Sequence, residues 1–449
     1  MNMRLLLGSL GLLLATSVRA SAAPTTTPTF NKDVLPILQE KCQSCHRPGQ
    51  LAPMSLLTYA ESRPWARAIK TAVTRRKMPP WFADPQYGHF RNEAALAPMQ
   101  IDTIVAWVDG GSVEGEANDA PPVVKWPSDG WEIQPDVIVD GVPYTVPAHT
   151  RNEVVEWMYV VVPNPFTKDT WVTSMEIRPS EPSVTHHICV YLRAHTPDAP
   201  YNKLIWEDKA RDGDGSVAAE AAGVGSAGRS VANGPIQGCF VPGHALEDYG
   251  SYNAAKLIPA GSDIVFSLHY TPNGKELTDL PRVGFTLAKG EPQREYRTLI
   301  TSAPQDATSF AIPPNDPNWK SPNMEGTFLQ DAELVWMSPH MHLRGKDMTY
   351  TLIYPDGRPE TVLSVPRYDF NWQLGYALAE PIKVPKGTRM VVTAHFDNSS
   401  ANRFNPNPTR TVYYGEMSWE EMMTPFFSVV VDRGATRNPI FKTEVKAKD

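Results

Sequence analysis

A chain of 449 residues is long enough for about three domains of ordinary size, and a 41% hydrophobic content is ample for packed cores. With 42 basic against 49 acidic residues and a formal net charge of −7, the sequence carries no basic footprint for nucleic acid or an anionic membrane surface. Its 43 prolines disfavour long interior helices and favour short strands joined by rigid turns, so the bulk of the chain reads as all-β.

Residues 1–22 read as a signal peptide. Arg4 supplies a positive start, Leu5 to Ala15 an apolar run, and Ala20-Ser21-Ala22 the small residues of a cleavage site near Ala22. The run is short for a transmembrane span, which leaves an uncleaved anchor as the alternative, and no later stretch is long and apolar enough to cross a bilayer. The expectation is a periplasmic or secreted bacterial protein, in a compartment where disulfides persist.

Two of the four cysteines stand in Cys42-Gln43-Ser44-Cys45-His46. This CxxCH pattern attaches haem c through two thioethers and ligates its iron through the histidine. Helical apolar spacing before it, Asp33 to Lys41, and after it, Ile101 to Val108, predicts short helices against the haem. Met78, in Lys77-Met78-Pro79-Pro80-Trp81, is the expected second axial ligand, because the prolines hold an extended loop that can present the thioether; Met54, Met99 and His89 are its rivals. Residues 29–113 resemble the class I c-type cytochromes, which implies a small all-α, electron-transferring domain.

A Gly, Pro and acid-rich linker follows at 114–129, and then two β-rich segments at 130–290 and 291–439, with strand-like runs such as Glu153 to Val162, Asp263 to Tyr270, Met348 to Tyr354 and Arg389 to Phe396. Two packed β-sandwiches account for this spacing. An Ala, Gly and Ser-rich insert, Lys203 to Gln237, reads as a loop. It contains a literal GxGxxG at Gly223 to Gly228, but no strand precedes it, so the dinucleotide reading fails.

The histidines give the β segments their chemistry. His340 and His342 flank Met341 at the i, i+2 spacing that points two side chains to one face of a strand, a natural start for a copper, zinc or iron site. His186 and His187 are adjacent and can share a metal only at a bend or bulge; His269 shares a strand face with Ser267 and Val265. Near the end, Trp419-Glu420-Glu421-Met422-Met423 offers thioethers, soft donors that suit copper(I).

The order of these motifs, HH, then HY on a strand, then HxH followed by Leu-x-Gly, then EM, resembles the copper type II, ascorbate-dependent monooxygenases, such as peptidylglycine α-hydroxylating monooxygenase and dopamine β-monooxygenase. The resemblance spans about Gly130 to Val430 and implies a pair of jelly-roll sandwiches facing across a solvent-filled cleft. By it, His186, His187 and His269 bind one copper, an electron-relay site, and His340, His342 and Met422 bind a second, where oxygen is activated. Met423 and Met417 are the fallbacks for Met422.

Departures narrow the substrate. Where peptide-hydroxylating members carry an arginine two residues before HxH, this chain has Ser338, and where they carry asparagine and tyrosine after the methionine ligand it has Thr424 and Phe426. The carboxylate anchor is missing, so a peptidylglycine is not the expected substrate. After haem attachment Cys189 and Cys239 remain, available for one bridge; the alternative is a thiolate ligand from Cys189, two residues beyond His187. The full expectation is a small all-α cytochrome c domain followed by an all-β jelly-roll pair, holding one covalent haem c and two copper ions. It acts on O2 and a small organic substrate, with electrons from a periplasmic donor or an ascorbate-like reductant reaching the His186, His187 and His269 copper through the haem. The alternatives are a non-hydroxylating haem and copper carrier, a copper-binding sensor, or an interaction protein that has lost turnover. His149, His195, His244 and His395 stay unassigned, with His395 the one to watch as a substitute ligand.

Overall fold

The strand Ser262–Tyr270 shows how sequence alternation builds the site-bearing half of the molecule. One face, Ile264, Phe266, Leu268 and Tyr270, enters a hydrophobic core, while the other presents Val265, Ser267 and His269. It lies at the centre of an antiparallel sheet, paired with Glu156–Pro163 on one side and Thr185–Ala194 on the other, with Leu204–Trp206 and Ile236–Phe240 at the edges. A second sheet, built from Val137–Asp140, Arg282–Leu287, Thr170–Arg178, Leu246–Asp248 and Lys256–Ile258, closes that core with Val172, Ile177, Val283 and Phe285.

This computed structural model describes residues 27–127, 130–149, 156–206, 231–232, 234–415, 417–435 and 439–444. The signal peptide, the GxGxxG stretch and the start of the run at Glu153 lie outside the described residues.

The C-terminal half repeats the scheme. One sheet orders Arg294–Ile300, Phe426–Asp432, Ala332–Ser338 and Tyr376–Val384, and the other Pro359–Val365, Gly345–Ile353, Arg389–Phe396, Met324–Phe328 and Phe441–Glu444. Leu334, Met337, Tyr350, Leu363, Val392 and Phe427 fill the space between them. The halves are packed together: Val335, Trp336 and Val430 reach into the first core, and the Tyr252 hydroxyl donates to the Val335 carbonyl.

The expected architecture is corrected at its N-terminal end. The molecule is mostly β, 37% strand against 13% helix, and residues 29–113 do not build a small all-α cytochrome domain followed by a separate jelly-roll pair. Among the described residues the α-helices are short pieces, Leu35–Lys41, Tyr59–Ser62, Ala66–Thr74 and Pro98–Asp109, around Phe30, Leu38, Leu56, Ile104 and Trp107. Between them, the prolines after Met78 keep the chain extended, and it runs along the β body. Asp84 N–H donates to Ser364 O, Arg91 N–H to Ala377 O, and Phe90 is buried in the core of the C-terminal half. Two helical patches do not make a whole helical domain here, because the apolar residues Trp81, Phe82 and Phe90 between them pack on the core of the C-terminal half.

Candidate metal centres

His186 and His187 come to one side through a bulge. Along the ladder His269 pairs with His187, and Tyr270 pairs with Thr185, so His186 is the extra residue and turns with its neighbour. The ligand-capable atoms of His186, His187 and His269 all lie within 4.8 Å of one another. The rings sit 5.4 Å (His186 to His187), 4.7 Å (His186 to His269) and 5.0 Å (His187 to His269) apart. Among the described residues, His186 Nε2 and His269 Nδ1 have no hydrogen-bond partner although both atoms are buried, a cost that a bound cation removes. Trp157 stacks on His269 at 5.3 Å and donates from Nε1 to Ser267 Oγ, fixing the ring's plane.

His340 and His342 lie just past the end of strand Ala332–Ser338, still extended, with Met341 turned into the core and the two rings 5.2 Å apart. Gln373 Oε1 is 2.6 Å from His340 Nδ1, and the Glu420 carbonyl is 3.2 Å from His342 Nδ1. Both Nδ1 atoms are therefore engaged as N–H donors, which leaves each Nε2 with its lone pair. The methionine stretch is tied to this pair. Glu421 accepts from the backbone N–H of His342 at 3.0 Å and of Arg344 at 2.6 Å, and Thr424 N–H donates to His340 O. Buried Arg344 is in turn held by Asn398 and the Trp419 carbonyl. Met422 faces the cavity, while Met423 and Met417 are buried and Met423 belongs to the core.

His187 and His269 of the first trio and all three members of the second line one cavity of about 830 Å³, which Trp157, Ser338, Thr424 and Phe426 also line. Phe370 stands between them, its ring 4.8 Å from that of His186 and 5.9 Å from that of His342. Burial pushes His186 and His340 down to about 4, and His187, His269 and His342 well below the ordinary imidazole value, with neighbouring histidines adding to the fall in all but His340. All five are neutral at neutral pH, the state in which an imidazole binds metal.

Cys189 and Cys239 form a disulfide between neighbouring strands that also faces the cavity, so the thiolate-ligand alternative for Cys189 falls away. Among the other histidines, His244 lines the cavity and pairs with Glu247, His195 meets Asp263, and His395 is held by Asp347 Oδ1 at 2.8 Å, apart from either trio.

At the CxxCH segment, His46 N–H closes a helical turn onto Cys42 O, setting the three side chains around one turn. His46 Nδ1 is 3.2 Å from the Met54 carbonyl, and Cys42 and Cys45 are free thiols. Met78 lines a neighbouring cleft with Val73, Trp81, Leu96 and Ile101, beside the helical core. Of its rivals, Met99 is 76% exposed and His89 is exposed, while Met54 packs on the same core. Sequence reasoning missed Phe370, Gln373, Arg344 and Glu421. The one available signal was the pair of charged residues, Arg344 and Glu421, inside otherwise apolar or metal-binding stretches.

Among the described residues, no helix is long and apolar enough to cross a membrane. No family model matches the chain, and no curated protein matches it. Solved structures of infectious bursal disease virus align over much of its length. The Gx strain structure matches at 9% identity over 68% of this chain and 75% of that one, and the Gt strain structure at 10% over 67% and 74%. Both have a TM-score of 0.16, too low to bear on fold or function.

Proposed function

We propose that this protein is an exported, copper-dependent monooxygenase that hydroxylates a C–H bond of a small organic substrate, related to the copper type II, ascorbate-dependent enzymes that its ligand order resembles. One observation carries the reading: two members of a three-histidine set, His187 and His269, line a single cavity with His340, His342 and Met422, and His186 stands beside them. Imidazoles suit several first-row metals, and the thioether shifts the second set toward copper(I). Bound copper would supply one-electron chemistry and the activation of O2. The balance is RH plus O2, two electrons and two protons, giving ROH and water.

The chain's own residues do the rest. Gln373 and the Glu420 carbonyl hold the His340 and His342 tautomers; Glu421 and Arg344 tie the HxH stretch to the methionine stretch. Ser338 is spent on the Leu374 carbonyl and Phe426 offers no hydroxyl, which supports a substrate other than a peptide carboxylate. Free Cys42 and Cys45 and the imidazole of His46 fit a covalent haem c. Tethered haem would pass electrons singly from a periplasmic donor, or an ascorbate-like reductant, at high effective concentration. The disulfide is compatible with export.

Elemental analysis and an optical spectrum of the exported protein test the proposal, on wild type, Met422→Ala and His269→Ala. Two coppers and one haem per chain, one copper weakened by each substitution, and substrate-dependent O2 uptake are the expected results. Haem without copper would remove the monooxygenase reading.

A further inference from the structure

One loop touches the surroundings of both the CxxCH segment and the metal cleft. It starts after strand Pro359–Val365 with Pro366 and Arg367, which wall the cleft that holds Met78 and Trp81. Tyr368 follows, and its hydroxyl accepts from the Met341 N–H at 3.2 Å and donates to the Met341 carbonyl at 2.7 Å, so it clasps the residue between the two histidines of HxH. Gln373, farther along, holds His340, and Phe370 bridges to His186. The loop leads into strand Tyr376–Val384, whose first residue is buried. The Tyr376 ring lies 5.0 Å from that of Trp81, its hydroxyl is bonded to the Phe82 backbone, and it is close enough to Tyr368 to interact electrostatically.

Backbone hydrogen bonds anchor these contacts. The chain carrying Trp81 is clamped at Asp84 to Ser364 and at Arg91 to Ala377, on both sides of the loop. Phe90 completes a three-ring cluster, at 5.9 Å from Trp81 and 5.5 Å from Tyr376. Electron transfer decays steeply with distance and favours close-packed, electron-rich rings in a fixed arrangement over gaps. In this protein Trp81, Phe90 and Tyr376 pack ring on ring beside the Met78 cleft, and Tyr368, which interacts electrostatically with Tyr376, is hydrogen-bonded to the peptide between His340 and His342. Phe370 lies between this path and the three-histidine centre, its ring 4.8 Å from that of His186 and 5.9 Å from that of His342.

We propose that Trp81, Tyr376 and Tyr368 form an electron path from a haem at Cys42, Cys45 and His46 to the His340, His342 and Met422 centre, with Phe370 linking that centre to the three histidines. This rests on the haem and copper reading above, and it redirects the expected electron arrival from the three-histidine centre to the other one. Each passage oxidises one ferrous haem to ferric and reduces one cupric ion to cuprous, the rings end unchanged, and an external one-electron donor re-reduces the haem.

The test uses the full chain loaded with haem and cupric ions, without oxygen, with metal content and haem spectrum measured first. The haem is reduced by a flash-driven photoreductant, and its reoxidation is followed by absorbance alongside the cupric signal in paramagnetic resonance. A fast reoxidation phase is expected in wild type and in His269→Ala. It is expected to be lost in His342→Ala and to slow severalfold in Trp81→Leu and Tyr376→Leu at unchanged haem spectrum and copper content. Trp81→Phe and Tyr376→Phe, which keep a ring and the fold, should restore part of the rate. A fast phase lost in His269→Ala but kept in His342→Ala, or an unchanged rate in both leucine variants, overturns the path while leaving the metal reading intact. Failure of the wild type to hold haem or copper overturns both.

Discussion

Met422 and Met423 are neighbours with opposite fates: one faces the cavity and the other is fully buried among Phe427, Tyr350 and their partners. Met423→Ala should therefore cost about 2–5 kcal/mol of stability with copper content unchanged, and Met422→Ala should lose copper from one centre at little cost in stability. Urea unfolding with metal analysis of the two variants checks this, and a reversed pattern would move the ligand to Met423. The choice between them was legible only through motif order, because the two thioethers are chemically equivalent in sequence. Spacing alone predicted that His340 and His342 face the same way, and their rings do lie 5.2 Å apart, although both stand past the end of strand Ala332–Ser338. Phe370, Gln373 and Arg344 were not legible, because their partners are distant in the chain. Lys256 is another residue that only the fold explains. Its ammonium is buried, donating to the Gln237 and Ile236 carbonyls and to Thr298 Oγ1, and burial pushes it down to about 7 from 10.5, with Glu247 opposing. Between those two values the unfolded chain binds the extra proton, so this residue makes stability rise as pH increases. Glu421, pushed up to about 8 by burial, acts in the opposite sense below about pH 8, and the buried tyrosines Tyr249 and Tyr296, held above their ordinary value, do so near about pH 10, so the clean window is about pH 8 to 9. Urea midpoints at the two ends should differ by more in wild type than in Lys256→Met, with a slope difference of at most about 1.4 kcal/mol per pH unit. Equal slopes would show that Lys256 does not carry this dependence.

Two strands decide the geometry of the three-histidine set. The bulge at His186 turns an HH pair, which a regular ladder would split across two faces, into a joint donor, and the same register puts Cys189 opposite Cys239 two residues farther along. Adjacent histidines signalled that a bulge was needed; its position depended on where Tyr270 pairs, a non-local fact. The disulfide closes a loop of 50 residues, so its removal should cost on the order of 3–4 kcal/mol, chiefly by freeing the unfolded chain. It also pins strand Ile236–Phe240 beside the cavity wall. A Cys189→Ser, Cys239→Ser double variant should melt lower than wild type and bind copper more weakly at the three-histidine centre than at the other. Equal weakening at both centres would mean that the bridge acts on global stability alone.

At the scale of the whole molecule, the N-terminal third is joined to the β body by more than a linker. Residues 81–92 run beside strand Tyr376–Val384, with Ala379 N–H donating to His89 O and Asn92 Nδ2 to Gly375 O, and Phe90 is only 8% exposed. This contact was invisible in sequence because the segment shows neither helical nor strand periodicity; proline spacing and a few aromatics are all it offers. Mechanical integration has a thermodynamic consequence. If the helical part were an appended module it would melt by itself, whereas shared burial makes its unfolding expose part of the C-terminal core. Phe90→Ala should accordingly cost about 3–5 kcal/mol and lower the melting of the helical and β parts together. Calorimetry combined with the near-ultraviolet signal of the buried tryptophans follows both. One coincident transition, shifted as a whole by the substitution, is the expected result. Two separate transitions, with Phe90→Ala moving only one, would make the helical part an independent unit and would leave the proposed Trp81 to Tyr368 path without the contact on which it depends.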